Sequence, residues 1–312
     1  MRVVYRYGEY IRTVRLAGSV YWKNRDTFGR VAVEDEHFSE FLKECQQTAR
    51  CRMPSSFGSP FHKLFYSPAL PRSVNAPFAN FFRGGWQEAR LLGKRSGAFY
   101  LYDINSAYLW SSTLGLPLTE TLELQFDVRT DLDGCYVIDQ GEPRQELPYP
   151  FSAESVVIAS LDEIESYNLN IRKVLAGFTW RDVLKPDAIT SVVSQFSFSK
   201  QMARAYWGRW ASVLRIECDN GQRKWKLRNP IQNYIWAHLI VSRVKLRIYE
   251  EAKDAAHVFV DSVLVPRTMP TSPQLGGWKL VKEYLDGVRI EGPGRFGAMR
   301  GKLDKHSGTP GE

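Results

Sequence analysis

Apolar residues along the chain fall into unbroken runs, alternations and helical spacings, and each pattern predicts an element. Residues 99–104, Phe-Tyr-Leu-Tyr-Asp-Ile, read as an apolar strand that carries one carboxylate, Asp103, to its end. The chain then turns at once into a helix over Ser106–Leu114. A second apolar run, Gly134–Asp139, predicts a strand beside the first. Residues 155–185 read as strand, helix and strand, over Val156–Ala159, Leu161–Tyr167 and Ile171–Trp180. From Asp187 to about Arg215 the pattern is helical, and Cys218–Gly221 breaks it. The clearest helix covers 231–252, where Ile231, Ile235, Leu239, Ser242, Leu246 and Tyr249 recur every three or four positions. Arg243, Arg247 and Lys253 take its other faces, and Pro230 stands near its first turn, where a missing amide does no harm. Directly after it, His257–Val265 reads as a tight hairpin with Asp261-Ser262 at or near the turn.

Upstream, Val3-Val4-Tyr5 and Val14–Ala17 have strand character, Asn24–Asp26 a turn, and His37–Ala49 a helical pattern. The segment from Met53 to Pro77 is rich in Pro, Ser and Gly and is the best candidate boundary. These patterns predict an α+β protein with a small N-terminal α+β region over 1–80 that carries no readable motif. Two parts of a sheet domain, 81–185 and 216–296, flank a helical insertion at 186–215, and a flexible tail follows at 297–312. No internal repeat is visible.

Composition narrows the class. At 312 residues and 44% hydrophobic content the chain buries a substantial core, which excludes a disordered protein. The net charge is +8, with Arg223, Lys224, Lys226 and Arg228, then Arg243, Lys245 and Arg247, crowded into the C-terminal half. Such an excess favours a polyanionic partner, most simply nucleic acid, with a solvated basic face as the plain alternative. Nine Trp, fifteen Tyr and seventeen Phe supply stacking partners for bases as well as core. The four cysteines, Cys45, Cys51, Cys135 and Cys218, have no metal-ligand spacing, which points to reduced thiols, no structural zinc and a cytoplasmic compartment. No apolar run approaches the length of a membrane span, and no membrane partner is expected.

Asp103 is the first chemical candidate. A carboxylate at a rigid strand end suits a divalent cation, and the amides of a helix start suit anionic oxygens. An ordinary helix cap is the other reading of the same Asp, and the segment alone leaves both open. Asp261 sits among residues too apolar for a solvent loop, so its charge is either buried at a cost or occupied by a cation. Two such carboxylates, separated by a helical insertion, suit two-metal phosphoryl transfer.

These residues carry a resemblance. Asp103-Ile104-Asn105-Ser106-Ala107-Tyr108-Leu109-Trp110-Ser111 resembles motif A of family-B DNA polymerases, D-x-x-S-L-Y-P-S, with Leu and Pro replaced and the last Ser one place later, at Ser111. Phe259-Val260-Asp261-Ser262 resembles motif C, D-T-D-S, with Phe259 in place of the first Asp. Lys200-Gln201-Met202-Ala203-Arg204-Ala205-Tyr206-Trp207-Gly208 resembles motif B, K-x-x-x-N-S-x-Y-G, with Arg204 for Asn and Trp207 for Tyr. Phe82-Arg83-Gly84-Gly85 resembles the Y-x-G-G element of the protein-primed phage and plasmid branch. Leu275-Gly276-Gly277-Trp278-Lys279 resembles the L-G-x-W stretch, and Gly294-Arg295-Phe296 stands near the place of a K-x-Y motif. All fall in the family's order over residues 80–296.

The resemblance implies an antiparallel-sheet palm, a short helical fingers hairpin, and a minimal or absent thumb, without the proofreading exonuclease domain. It implies a template-directed DNA polymerase of low processivity, adding deoxynucleotides to a 3′-hydroxyl with two Mg²⁺ ions, Mn²⁺ being the alternative. Asp103 and Asp261 are the implied catalytic metal ligands, together with the Ile104 backbone. Ser106, Ala107, Tyr108, Lys200, Arg204 and Trp207 are the implied nucleotide contacts, with Tyr108 as a gate against the 2′-hydroxyl. Arg83, Gly84, Gly85, Gly208, Ser262, Lys279 and Arg295 are the implied DNA contacts. The partners are template-primer DNA, deoxynucleoside triphosphates and an accessory protein or protein primer, in a bacterial host or a virus-encoded setting. Two other readings stay open: a primase or primase-polymerase, and a non-catalytic nucleic-acid-binding relative of a polymerase.

Overall fold

The computed structural model describes residues 3–7, 10–14, 70–185, 187, 190, 213–217, 223–227, 233–300 and 303–305. The chain divides into two units. One holds Met1–Pro71 and Lys185–Asn233, the other Arg72–Leu184 and Tyr234–Glu312. It is a mixed α/β protein in which every strand pairing among the described residues is antiparallel.

In the first unit β1 (Val3–Tyr7) and β2 (Tyr10–Val14) form a hairpin. The second unit opens with helix α1 (Arg72–Phe81), the short strands β3 (Gln87–Ala89) and β4 (Gly93–Arg95), then β5 (Phe99–Ile104) and helix α2 (Ala107–Thr113). It continues through β6 (Glu123–Gln125), β7 (Asp133–Asp139), β8 (Val156–Ser160), helix α3 (Leu161–Ser166) and β9 (Lys173–Trp180). Back in the first unit, β10 (Val213–Glu217) and β11 (Arg223–Leu227) form a second hairpin. The second unit then resumes with the long helix α4 (Tyr234–Glu251), the hairpin β12 (His257–Phe259) and β13 (Ser262–Val265), and β14 (Trp278–Tyr284). It ends with β15 (Val288–Gly292), β16 (Arg295–Ala298) and β17 (Asp304–Lys305).

Three sheets organise the second unit, in the orders β14-β5-β13-β12-β3, β17-β16-β15-β4 and β6-β9-β7-β8. Helix α4 lies at the centre. Its Val244 and Ile248 join the core on one face of the β5 sheet, with Trp86, Tyr102, Ile104, Val263 and Trp278. Its Leu246 joins a second core built on the β7 sheet, with Tyr136, Ile138, Phe151, Val157 and Tyr167. The other face of the β5 sheet packs Phe99, Leu101 and Leu264 against Val288, Ile290 and Phe296.

Several expectations change. Gly134–Asp139 is a strand, but β7 pairs with β8 and β9 in a separate sheet and does not touch β5 in register. The helical pattern of 187–215 gives way to strand at Val213; Asp187 and Thr190 are helical, and the rest of that reading, like the helix at His37–Ala49, lies outside the described residues. Pro77 does not lie in a loop. It falls inside α1, which burial holds against the lost hydrogen bond: Phe78 is fully buried against Phe178, and the Asn75 side chain accepts the Tyr234 backbone N–H. Helix α4 is buried on nearly every side of its first turns rather than along one stripe, as a helix between two sheets must be. Residues 297–298 and 304–305, expected in a tail, are strand.

That central position forces polar groups inward. His238 of α4 meets Glu163 of α3 at 2.8 Å, with both side chains almost wholly buried. Glu163 also accepts the Ser160 N–H at 3.0 Å, closing a capping box at the start of α3. Lys245, one helical stretch further on, is buried as well, and burial pushes its pKa down against the pull of Glu163 and Glu154. Burial works to raise the Glu163 pKa, but His238, Lys245 and the Ser160 amide hold it below its ordinary value. Glu163→Ala strips the cap and leaves His238 and Lys245 buried without their carboxylate, so urea unfolding should show a loss of about 3–5 kcal/mol. A folded-state pKa below the unfolded one contributes stability above the usual glutamate range, which is lost as pH falls through the folded value. The acid limb of the unfolding curve should therefore flatten in Glu163→Gln.

Candidate functional site

Strand β5 is central in its sheet, between β14 and β13, so its C-terminal end is held from both sides. Register sets a transverse row there. Lys279 of β14 pairs with Asp103 of β5, Asp103 with Ser262 of β13, Ser262 with Phe259 of β12, and Phe259 with Gln87 of β3. Direct cross-strand partners point to the same face, so these five side chains form one line across the sheet. Within it the Ser262 hydroxyl donates to Asp103 Oδ1 at 3.0 Å, and exposed Lys279 stands on the other side of the same carboxylate.

Asp103 is not the cap of the following helix. The N-cap of α2 is Ser106, in the left-handed region at φ 51°, and its side chain makes no capping bond. Beyond it Tyr108 is half-buried against the core that holds Trp86, Tyr102 and Ile104. The Leu275–Trp278 stretch folds onto this turn. Asn105 N–H donates to the Gly277 carbonyl at 2.8 Å, and Gly276 N–H to the Asn105 carbonyl at 2.9 Å. Gly276, at φ +80°, lies against the Trp110 ring with no room for a side chain. Arg247 of α4 stacks on the same ring, 4.8 Å from its centroid.

Asp261 is the second residue of the two-residue β12–β13 turn. Its carbonyl accepts the Ile104 N–H at 2.9 Å, which ties the turn to the end of β5 and brings the two Asp residues onto neighbouring strands. The first turn residue, Val260, has φ 63°. A β-branched residue there is strained by about 1–3 kcal/mol, a conformation that persists only where its surroundings impose it. They do so here. The Val260 N–H donates to the Trp86 carbonyl at 2.7 Å, and a Cβ on Gly85 would stand 2.8 Å from Val260 Cγ1.

The other expected site residues are placed as follows. The Arg83 guanidinium forms a two-pronged ion pair with Glu154, Nε to Oε1 at 2.7 Å and Nη2 to Oε2 at 2.8 Å. Its Nη1 donates to the Asn80 and Phe82 carbonyls at the end of α1. Burial opposes ionisation of Glu154, yet the bonds from Arg83 and the Tyr149 hydroxyl hold its pKa below the ordinary value. Gly84 is exposed, with open space where a Cβ would point. Arg295 is exposed and pairs with Glu291 at 2.9 Å. Ala107 is buried at the start of α2. Lys200, Arg204, Trp207 and Gly208 lie outside the described residues.

Phe259, where the motif C pattern has its first Asp, is nearly buried. Its ring packs beneath Gly294 and lies 6.4 Å from the His257 ring. His257 is buried too, and its Nε2 accepts the Gly294 N–H at 2.8 Å. Glu154, Val260 and His257 are the residues sequence reading missed. Only Val260 left a signal, as a β-branched residue where a tight hairpin usually places Gly or Asn.

Among the described residues, no group of three or more His, Cys, Asp or Glu side chains stands at metal-ligand distance. The carboxylates at the end of β5 and at the adjoining turn are two, Asp103 and Asp261. That donor set fits Mg²⁺ or Mn²⁺, hard cations that take one or two carboxylates and complete their shell with water and phosphate oxygens. No helix among the described residues is long and apolar enough to cross a membrane.

The chain matches no protein-family model and no curated relative. Its fold is similar to solved structures of Phi29 DNA polymerase. Against the ternary complex with primer-template DNA and incoming nucleotide substrates, the TM-score is 0.58 at 15% identity over 85% of this chain and 60% of that one. Against the post-translocation binary complex with primer-template DNA it is 0.56 at 14%, over 85% and 59%. Against the complex with single-stranded DNA it is 0.57 at 14%, over 95% and 59%. The chain spans about three-fifths of that polymerase's length, and at this identity the likeness is one of fold.

The packing of Phe259 gives a direct test of its role in holding the β15–β16 turn. Phe259→Ala empties a buried ring site and should cost about 3–5 kcal/mol in chemical unfolding.

Proposed function

We propose that the chain is a template-directed DNA polymerase that adds deoxynucleotides to a 3′-hydroxyl. The observation that carries this reading is the row Lys279, Asp103, Ser262 with Asp261 at the adjoining turn. It sets two carboxylates at the ends of neighbouring strands, one of them oriented by a hydroxyl and flanked by a cation. The fold likeness to a polymerase solved with primer-template DNA and incoming nucleotides supports it, as does the net charge of +8.

In this reading the β5 sheet is the palm and the segment from 186 to 215 the fingers. Asp103 and Asp261 hold divalent cations, and the chain's partners are template-primer DNA and deoxynucleoside triphosphates. Bound cations supply the positive charge that activates a 3′-hydroxyl and neutralises a leaving pyrophosphate. The chain's own residues do the positioning. Ser262 fixes the Asp103 carboxylate, Lys279 offers its charge to phosphate beside it, and Tyr108 supplies a wall against the sugar. A non-catalytic DNA-binding protein is the second reading. The observation favouring it is the apolar Phe259 on the same row.

Primer extension on a defined template at stated salt tests both. Asp103→Asn and Asp261→Asn should each lower Mg²⁺-dependent incorporation by about 10³-fold or more while DNA affinity stays within about threefold. DNA binding by wild type without any incorporation would establish the second reading. Tyr108→Ala should raise ribonucleotide incorporation, and equal discrimination by wild type and variant would remove the gate.

A further inference from the structure

The geometry points to Arg83 and Gly85 as positioning residues for Asp261, acting through the strained Val260 turn. The inference rests on the reading of Asp261 as a cation ligand. Arg83 directs its Nε, Nη1 and Nη2 groups at protein acceptors, the Glu154 carboxylate and the Asn80 and Phe82 carbonyls. Glu154 is fixed in turn by the Tyr149 hydroxyl at 2.7 Å. A guanidinium committed in this way anchors the Arg83–Trp86 loop between the end of α1 and the segment that carries Glu154.

That loop sets the turn. Its Trp86 carbonyl accepts the Val260 N–H, and the bare Cα of Gly85 lets the Val260 side chain lie where a Cβ would collide with it. Val260 has no intrinsic preference for φ 63°, so the loop is what imposes it. Asp261 is the next residue, with its carbonyl on Ile104 N–H. The path therefore runs from Glu154 through Arg83, Gly85 and Val260 to the Asp261 backbone. The two glycines of the loop differ in kind. Gly85 is required by contact, whereas Gly84 meets open space.

The test uses the full chain and two readouts. Hydrogen exchange over residues 256–265 and at Ile104 reports the turn whether or not a cation binds, and titration with Mn²⁺ followed by electron paramagnetic resonance reports the ligand. Arg83→Ala and Gly85→Ala should each speed exchange at Val260 and Ile104 and weaken Mn²⁺ binding by about tenfold, as loss of an orienting group does. Gly84→Ala should leave both readouts at wild-type values. Gly85→Ala combined with Val260→Gly removes the collision and the strain together, and should return both readouts toward wild type, which a merely destabilised loop would not do. Unchanged exchange in Arg83→Ala and Gly85→Ala overturns the proposal, and so does a double variant no better than Gly85→Ala. A wild type that binds no Mn²⁺, with turn exchange that still responds as stated, removes the cation reading of Asp261 and keeps the coupling.

Discussion

The second unit depends on one constraint: α4 is buried between two sheets and must satisfy both. An amphipathic surface helix hides one stripe, but this helix gives Val244 and Ile248 to the β5 sheet and Leu246 to the β7 sheet. Its polar residues then have no solvent to face. His238 and Lys245 are inside, and the price is met by Glu163, which caps α3 and takes His238 with the same carboxylate oxygen. A group that serves two elements at once couples them. The α3 cap, the α4 register and the β7 sheet stand or fall together, because a buried charge left without its partner costs more than the pair contributes. The β5 sheet inherits its position from the same helix, and with it the strand end that carries Asp103.

Local elements were readable where the determinant was local. The run at 99–104 followed by a turn and helix, and the hairpin at 257–265, appear in the structure as β5, α2, β12 and β13. Their information lies in neighbouring residues and period. Pairing between distant elements was not readable. Gly134–Asp139 is as apolar as β5 and was expected beside it, yet a buried run carries no label for its sheet. Pro77 shows the same limit from the other direction, since a strong local breaker yields to the burial of Phe78.

The site divides along the same line. Asp103 and Asp261 stand out in the sequence because each sits at the end of an apolar segment where a charge needs a reason. The long-range pairings around them are not legible there: Glu154 carries no signal, and Ser262, named as a DNA contact, gives no sign that it bonds Asp103. Glu154 lies 71 residues from Arg83, and Ser262 lies 159 residues from Asp103. Arg83 also has a partner that its motif position does not announce. The sequence offers a basic residue beside two glycines, and the structure pairs that base with a distant, part-buried acid.

Phe259 is then the residue that most affects the proposed reading, and the row decides how much a carboxylate in its place would matter. Antiparallel strands lie about 4.8 Å apart, so position 259, with β13 between, is about two strand spacings from Asp103. Asp261 belongs to the nearer pair, bonded through its backbone to Ile104, while Ser262 occupies the place between. A carboxylate at 259 would be the outlying member of three, next to a buried imidazole and under a glycine turn. With Phe there, the outer end of the row becomes a packing surface that pins Gly294, and with it the turn bearing Arg295, to the β5 sheet. Phe at this place gives a fixed apolar wall where the resemblance would put the outer ligand. In the proposed reading the cations fall to the inner pair alone, which makes the orientation of Asp261, and so the Val260 turn, more consequential than it would be in a site with three carboxylates.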